Sequence, residues 1–189
     1  MGTMITALLL MFCVMPTPQL YAEDATPKRP NPSWIDANGQ ITHLSDLYGQ
    51  VVVLNLWATW CRPCLTEMPS LDKLQRRYGA GGLHVIPLVK DETGVSTWPK
   101  MQQFFHQARI TELPLVQEAH ENSLLGLDFT QIPTTFIFDR TGNLILSHTG
   151  ALDWFGTEQR AFIENLLRVP DPTAPTFTAP SGIILDLNL

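Results

Sequence analysis

An α/β domain, with a central mixed sheet flanked by helices, is the fold class this sequence predicts, and three observations predict it. Two nearly continuous apolar runs, VVVLNL at Val51–Leu56 and LHVIPLV at Leu83–Val89, read as strands buried on both faces, the habit of a parallel sheet. Between them Leu65, Met68, Leu71, Leu74 and Tyr78 recur at helical spacing and stop near Gly79. Late in the chain TTFIF (Thr134–Phe138) and LILSH (Leu144–His148) are two strands joined by the turn residues Asp139-Arg140-Thr141-Gly142-Asn143. Strand, helix, strand early and a hairpin late imply a sheet that is parallel at first with an antiparallel edge.

The remaining elements follow in order. Glu23–Pro32 is polar, holds three prolines and reads as a linker. Trp34-Ile35-Asp36 and Gln40–Leu44 flank Asn38-Gly39, a pair that supplies the positive φ angles of a tight turn, so an N-terminal β-hairpin is expected. Pro99–Ala108, apolar at Met101, Phe104, Phe105 and Ala108, predicts a helix; Leu113–Val116 predicts a short strand and Glu121–Leu127 a short helix. Together they form a central insertion before Pro133. Thr157–Arg168 closes the domain as an amphipathic helix.

The ends read differently. Residues 1–22 carry no charged side chain, and Ile5–Met15 is an almost unbroken apolar run of 11 residues, short for a membrane span but suited to a signal-peptide core. A leader, or a retained anchor, is therefore expected over 1–22, a linker over 23–32, the folded domain over 33–168 and a Pro-rich tail over 169–189. Such a leader predicts a periplasmic or otherwise extracytoplasmic location in a bacterium, with the chain secreted or held by its anchor. With 189 residues, 44% hydrophobic and 16% charged, the chain is long enough for a proper core. Its net charge of −6 and lack of a basic stripe argue against nucleic acid as a partner.

Of three cysteines, Cys13 lies in the leader, which leaves Cys61 and Cys64 in WATWCRPCLTEMP. A single pair closing so small a loop constrains the unfolded chain little, so a structural staple is a weak explanation. Half of a zinc site would need further paired ligands, and His43, His84, His106, His120 and His148 are scattered. Electron exchange fits better. Placed where a strand hands over to a helix, Cys61 faces unpaired N–H groups and the positive end of the helix dipole, which favour the thiolate that attacks disulfides. Arg62 adds positive charge, Pro63 suits a first helical turn, and Cys64, one turn in, is placed to resolve the mixed disulfide.

WATWCRPC, together with Gln131-Ile132-Pro133-Thr134-Thr135-Phe136, resembles the active site of thioredoxin-fold proteins. Within that superfamily the leader, the hairpin, Cys64-Leu65-Thr66-Glu67-Met68-Pro69, the insertion and Gly150-Ala151-Leu152-Asp153-Trp154 are similar to the TlpA/ResA type of exported thiol–disulfide oxidoreductase. The resemblance implies that Pro133 is a cis-proline beside the cysteines and that the Ile132 backbone pairs with a substrate chain. It implies a reductase without cofactor or metal, supplied by a membrane electron donor of the DsbD/CcdA type. Its substrates would be exported proteins with oxidised cysteines, such as haem-attachment or copper-site pairs.

Two departures from related patterns carry information. Where cytoplasmic thioredoxins hold a buried aspartate, this chain has Asn55, which cannot ionise, so deprotonating Cys64 needs another base. Glu67, a helical neighbour of Cys64 and next to apolar Met68 and Leu71, is the candidate, since burial raises a carboxyl toward a proton acceptor's range. The second departure is Thr134, where cytochrome-maturation proteins of the CcmG type carry an acid. Trp57 and Trp60 are expected to pack beside the site and offer a flat surface to an incoming chain. A peroxidase would need a lone reactive cysteine instead of this pair. The alternative outside redox catalysis is Cu(I) delivery by Cys61, Cys64 and either His120 or His148.

Overall fold

A computed structural model describes residues 29–90 and 97–168. The leader, most of the linker and the C-terminal tail expected from sequence lie outside the described residues. Strands β1 (Ser33–Asp36), β2 (Ile41–His43), β3 (Val51–Trp57), β4 (Leu83–Val89), β5 (Val116–Glu118), β6 (Thr134–Phe138) and β7 (Leu144–Thr149) form one sheet in the order β2-β1-β5-β4-β3-β6-β7. Helices α1 (Arg62–Tyr78), α2 (Trp98–Ala108) and α3 (Thr157–Arg168) complete an α/β thioredoxin fold. β3, β4 and β5 are parallel to one another, and β6 and β7 add the antiparallel edge.

β3 is buried along its whole length, and the period-2 alternation of a strand sorts its side chains to two faces. Val51, Val53 and Trp57 face a core shared with α1, α2 and α3 through Met68, Leu71, Met101, Phe105 and Ile163. Val52, Leu54 and Leu56 face the other core, with Ile86, Phe136 and Phe138, which Trp34, Leu44, Leu124 and Leu127 close. Burying each such aliphatic side chain is worth roughly 1.5–3 kcal/mol relative to exposure. The three helices therefore gather over one face, while turns and the hairpin cover the other.

Four expectations need correction. In the hairpin only Gly39 has positive φ (83°), and the Asp36 carboxylate accepts the N–H groups of Asn38 and Gln40 at 2.9 Å each, which holds a longer loop than a two-residue turn. The insertion's strand is Val116–Glu118, not Leu113–Val116; Pro114 has no N–H to give to a ladder, and Leu113 packs into the helical core instead. No helix forms over 121–127. Successive turns do, held by Ser123 N–H to His120 O (3.0 Å), Leu125 N–H to Asn122 O (3.1 Å) and Leu127 N–H to Leu124 O (3.1 Å), and Gly126 has φ 89°. Trp57, finally, ends β3 as a fully buried core residue. Its Nε1–H donates to Pro87 O at 3.0 Å and its ring lies against Phe104 and Phe105, so it offers nothing to an incoming chain.

Register positions the site. Leu56 pairs with Thr134 across β3 and β6, so the Ile132–Pro133 bond emerges at the end of the sheet where β3 runs out toward Cys61. Asn55 pairs with Thr135 one step inside that end.

Candidate active site

Cys61 is the N-cap of α1, with extended backbone (φ −82°, ψ 98°), and its Sγ accepts the N–H of Cys64 at 3.3 Å. A sulfur in the cap position takes up one of the N–H groups that a helix start leaves unpaired. Pro63 in the first turn has no N–H to leave unpaired there. Cys61 and Cys64 are joined as a disulfide. Cys61 retains 5% of its surface and Cys64 none, so of the two it is Cys61 that borders the outside. Around it Trp60 is 69% exposed, and the side chains of Arg62 and Pro63 are exposed as well.

One turn further along α1, Glu67 is 3% exposed. Its Oε1 accepts Asn55 Nδ2–H at 2.7 Å; its Oε2 accepts the Leu152 N–H at 3.1 Å and Trp154 Nε1–H at 3.3 Å. No ion pair involves it among the described residues. Burial raises its proton affinity above the ordinary carboxyl value of 4.5, and the three neutral donors, which favour the ionised form, only partly offset this. Asn55 Nδ2 also donates to Thr135 Oγ1 at 2.9 Å, which ties the acid on α1 to the centre of the sheet. The carboxylate's setting thus differs from the expected one: it faces Asn55 and the 152–154 segment as well as the apolar side chains of α1.

The Ile132–Pro133 bond is cis and Pro133 is buried. Pro133 O accepts the Gly150 N–H at 2.9 Å, and the Thr134 hydroxyl donates to Gln131 O at 2.7 Å. Among the described residues the backbone N–H and C=O of Ile132 have no hydrogen-bond partner. The two histidines considered as copper ligands are engaged elsewhere: His120 Nε2 lies 3.4 Å from Ser33 Oγ, and His148 packs edge-on against Trp154 at 5.8 Å. No three His, Cys, Asp or Glu side chains form a group that could hold a metal ion among the described residues.

Sequence reasoning missed Asn55 as a partner of Glu67, and missed Thr135, Leu152 and Trp154 altogether as parts of the site. The first had a signal, because a polar side chain in an otherwise apolar, doubly buried strand must find a hydrogen bond. Trp154 lies 87 residues from Glu67, and its place in the family-like segment Gly150–Trp154 gave no pointer to a contact with the acid.

Comparison with known proteins follows the same lines. The model of the AhpC/TSA family matches residues 22–147. The thiol–disulfide oxidoreductase ResA of Bacillus anthracis is 31% identical over 116 residues, 61% of this chain and 64% of that protein. ResA of Halalkalibacterium halodurans is 29% identical over 139 residues, covering 74% of this chain and 73% of its own. Among solved structures, a candidate thiol:disulfide interchange protein DsbE from Chlorobium tepidum superposes with a TM-score of 0.58 at 27% identity, over 74% of this chain and 94% of that one. The match to the Bacillus anthracis relative spans less than two thirds of that protein's length. With the family model covering well over half of its length, the chain belongs to the AhpC/TSA family.

Proposed function

We propose that this AhpC/TSA-family chain is a thiol–disulfide oxidoreductase that reduces disulfides in extracytoplasmic proteins. The observation that carries the reading is the pairing of a barely exposed Cys61, capping a helix and bonded to a fully buried Cys64, with a buried carboxylate one turn behind it. The ResA relatives and the apolar leader support the same reading.

In the reduced protein the Cys61 thiolate attacks one sulfur of a substrate disulfide. A mixed disulfide forms and the other substrate sulfur leaves as a thiolate that takes a proton from solvent. The Cys64 thiol then gives its proton to the Glu67 carboxylate, and the Cys64 thiolate attacks Cys61 Sγ. The Cys61–Cys64 bond forms, the bond from Cys61 to the substrate breaks, and the second substrate thiolate leaves. Two electrons have passed to the substrate. A membrane donor of the DsbD/CcdA type returns them to the cysteine pair.

Substrate contacts fall on the surface around Cys61: the flat face of Trp60, the charge of Arg62, the ring of Pro63 and the free backbone of Ile132 beside Pro133. An extended chain laid there finds one donor and one acceptor at Ile132, which suits main-chain pairing and leaves the sequence around the target cysteine open. The substrates on this reading are exported proteins with oxidised cysteine pairs at haem-attachment or copper sites.

Insulin reduction by dithiothreitol tests the activity. The wild-type protein should accelerate precipitation, and Cys61→Ala should return the rate to the uncatalysed background. Cys64→Ala should instead accumulate a mixed disulfide with its substrate in exported-protein extracts. No acceleration of insulin precipitation, combined with stoichiometric Cu(I) uptake, would replace the reductase with a copper-delivery protein.

A further inference from the structure

The proton step above depends on Glu67, and the structure shows what holds Glu67 in place. Its two oxygens are not equivalent. Oε1 accepts one bond, from Asn55, whereas Oε2 accepts two, from the Leu152 N–H and from Trp154 Nε1–H. Trp154 is itself locked to α1. It is 3% exposed, and its backbone N–H donates to Ser70 Oγ at 3.0 Å, while that hydroxyl donates to the Glu67 carbonyl at 2.7 Å. The backbone that carries the indole is therefore fastened to the same helix as the carboxylate, and burial of the ring leaves it little room to turn. The start of the same segment is also held, since the Gly150 N–H is bonded to Pro133 O.

We propose that Trp154, acting with the Leu152 amide, is a positioning residue for the proton acceptor: it occupies Oε2 and leaves Oε1 as the oxygen that receives the proton released by Cys64. The inference rests on the oxidoreductase reading for its proton, but the geometry of the carboxylate stands apart from that reading. A hydrogen bond given to the ionised form favours that form. The indole thus opposes the effect of burial and keeps Glu67 able to exchange its proton instead of holding it permanently. Ionisable neighbours face this assembly from each side. Lys73 on α1 and Asp153 share the groove that Glu67 lines, His148 of β7 packs on the indole, Glu158 of α3 lines the cavity next to Trp154, Cys64 lies about one turn back along α1 and Cys61 caps that helix.

The test uses the oxidised wild-type protein, in which the cysteines do not titrate. The Trp154 indole N–H is followed by NMR and the Glu67 carboxyl by its infrared band, with Glu67→Gln identifying both signals. The indole resonance should move with the same midpoint as the carboxyl band, and should keep doing so in His148→Gln, Lys73→Gln, Asp153→Asn and Glu158→Gln. Trp154→Phe keeps the ring and removes the donor, so the carboxyl midpoint should rise by about half to one pH unit, and the pH profile of insulin reduction should rise with it. A purely packing role for Trp154 would lower stability or overall rate and leave both midpoints where they were. An indole signal indifferent to Glu67 in the wild-type protein overturns the proposal even if Trp154→Phe does not fold, and so does an unmoved carboxyl midpoint in a folded Trp154→Phe. If the carboxyl midpoint rises while insulin is reduced neither by the wild type nor by the variant, the positioning role stands and the oxidoreductase reading fails.

Discussion

Both halves of α1 bury a carboxylate, and the surroundings of the two differ in kind. Asp72, 3% exposed, accepts the N–H groups of Thr111 (3.0 Å) and Glu112 (2.8 Å) and is paired with the Arg76 guanidinium at 2.7 Å. It fastens the chain after α2 to the helix. Glu67, equally buried, meets only neutral N–H donors, from Asn55, Leu152 and Trp154. Charge on Asp72 is balanced where it sits; charge on Glu67 is solvated by dipoles alone, and burial keeps its proton affinity above the ordinary value. Burial by itself does not mark a group for chemistry. A buried acid without a cation, one turn from the Cys61–Cys64 disulfide, is the better candidate.

The comparison breaks most visibly at Asp72. Asp72→Ala strips three donors of their acceptor and should cost about 2–3 kcal/mol in urea unfolding, while the pH profile of insulin reduction stays in place. If that profile moves, the two carboxylates are coupled and the contrast is wrong. Asn55→Asp attacks the other side. It sets a second acid where the amide now lies 2.7 Å from Glu67 Oε1, and like charges that close share one proton. The midpoint of the reduction profile should rise by at least one pH unit, equivalent to about 1.4 kcal/mol; an unmoved midpoint would mean that the neutral setting of Glu67 is irrelevant to the rate.

Glu67→Gln sharpens the contrast through stability. Between 4.5 and the raised value of folded Glu67 the native protein binds more protons than the unfolded chain, so stability falls as pH rises through that window. The fall should be smaller in Glu67→Gln, measured by urea midpoints from the ordinary carboxyl range up to neutrality. A slope unchanged from wild type would show that Glu67 ionises in the folded protein as it does in the unfolded one. The smallest effect belongs to Trp60, outside the helix core. Trp60→Ala should leave stability within about 0.5 kcal/mol and raise KM for a protein substrate a few-fold, with kcat unchanged. A loss of kcat alone would move Trp60 from the contact surface into the chemistry.

Much of this was legible without coordinates. Continuous apolar runs marked β3 and β4, helical spacing marked α1 and α3, and the cysteine pair sat where one pattern changed to the other. Local periodicity encodes backbone state because each side chain reports on the face it occupies. The errors were local too, and each had a competing cause: Pro114 displaced β5 by removing a donor, and Gly126 with its i to i−3 bonds left turns where a helix was expected.

What the chain determined by itself, then, was its layers and the position of two sulfurs at a helix start, since both depend on neighbours a few residues apart. Which tryptophan is inside and which outside, and which groups surround Glu67, was decided only in three dimensions. Trp57 turns inward because β3 runs one residue further than its apolar stretch, whereas Trp60 lies beyond the strand. The donors to Glu67 come from 12, 85 and 87 residues away, and no spacing rule reaches that far. Sheet register and the return of the chain after β7 bring them to one carboxylate.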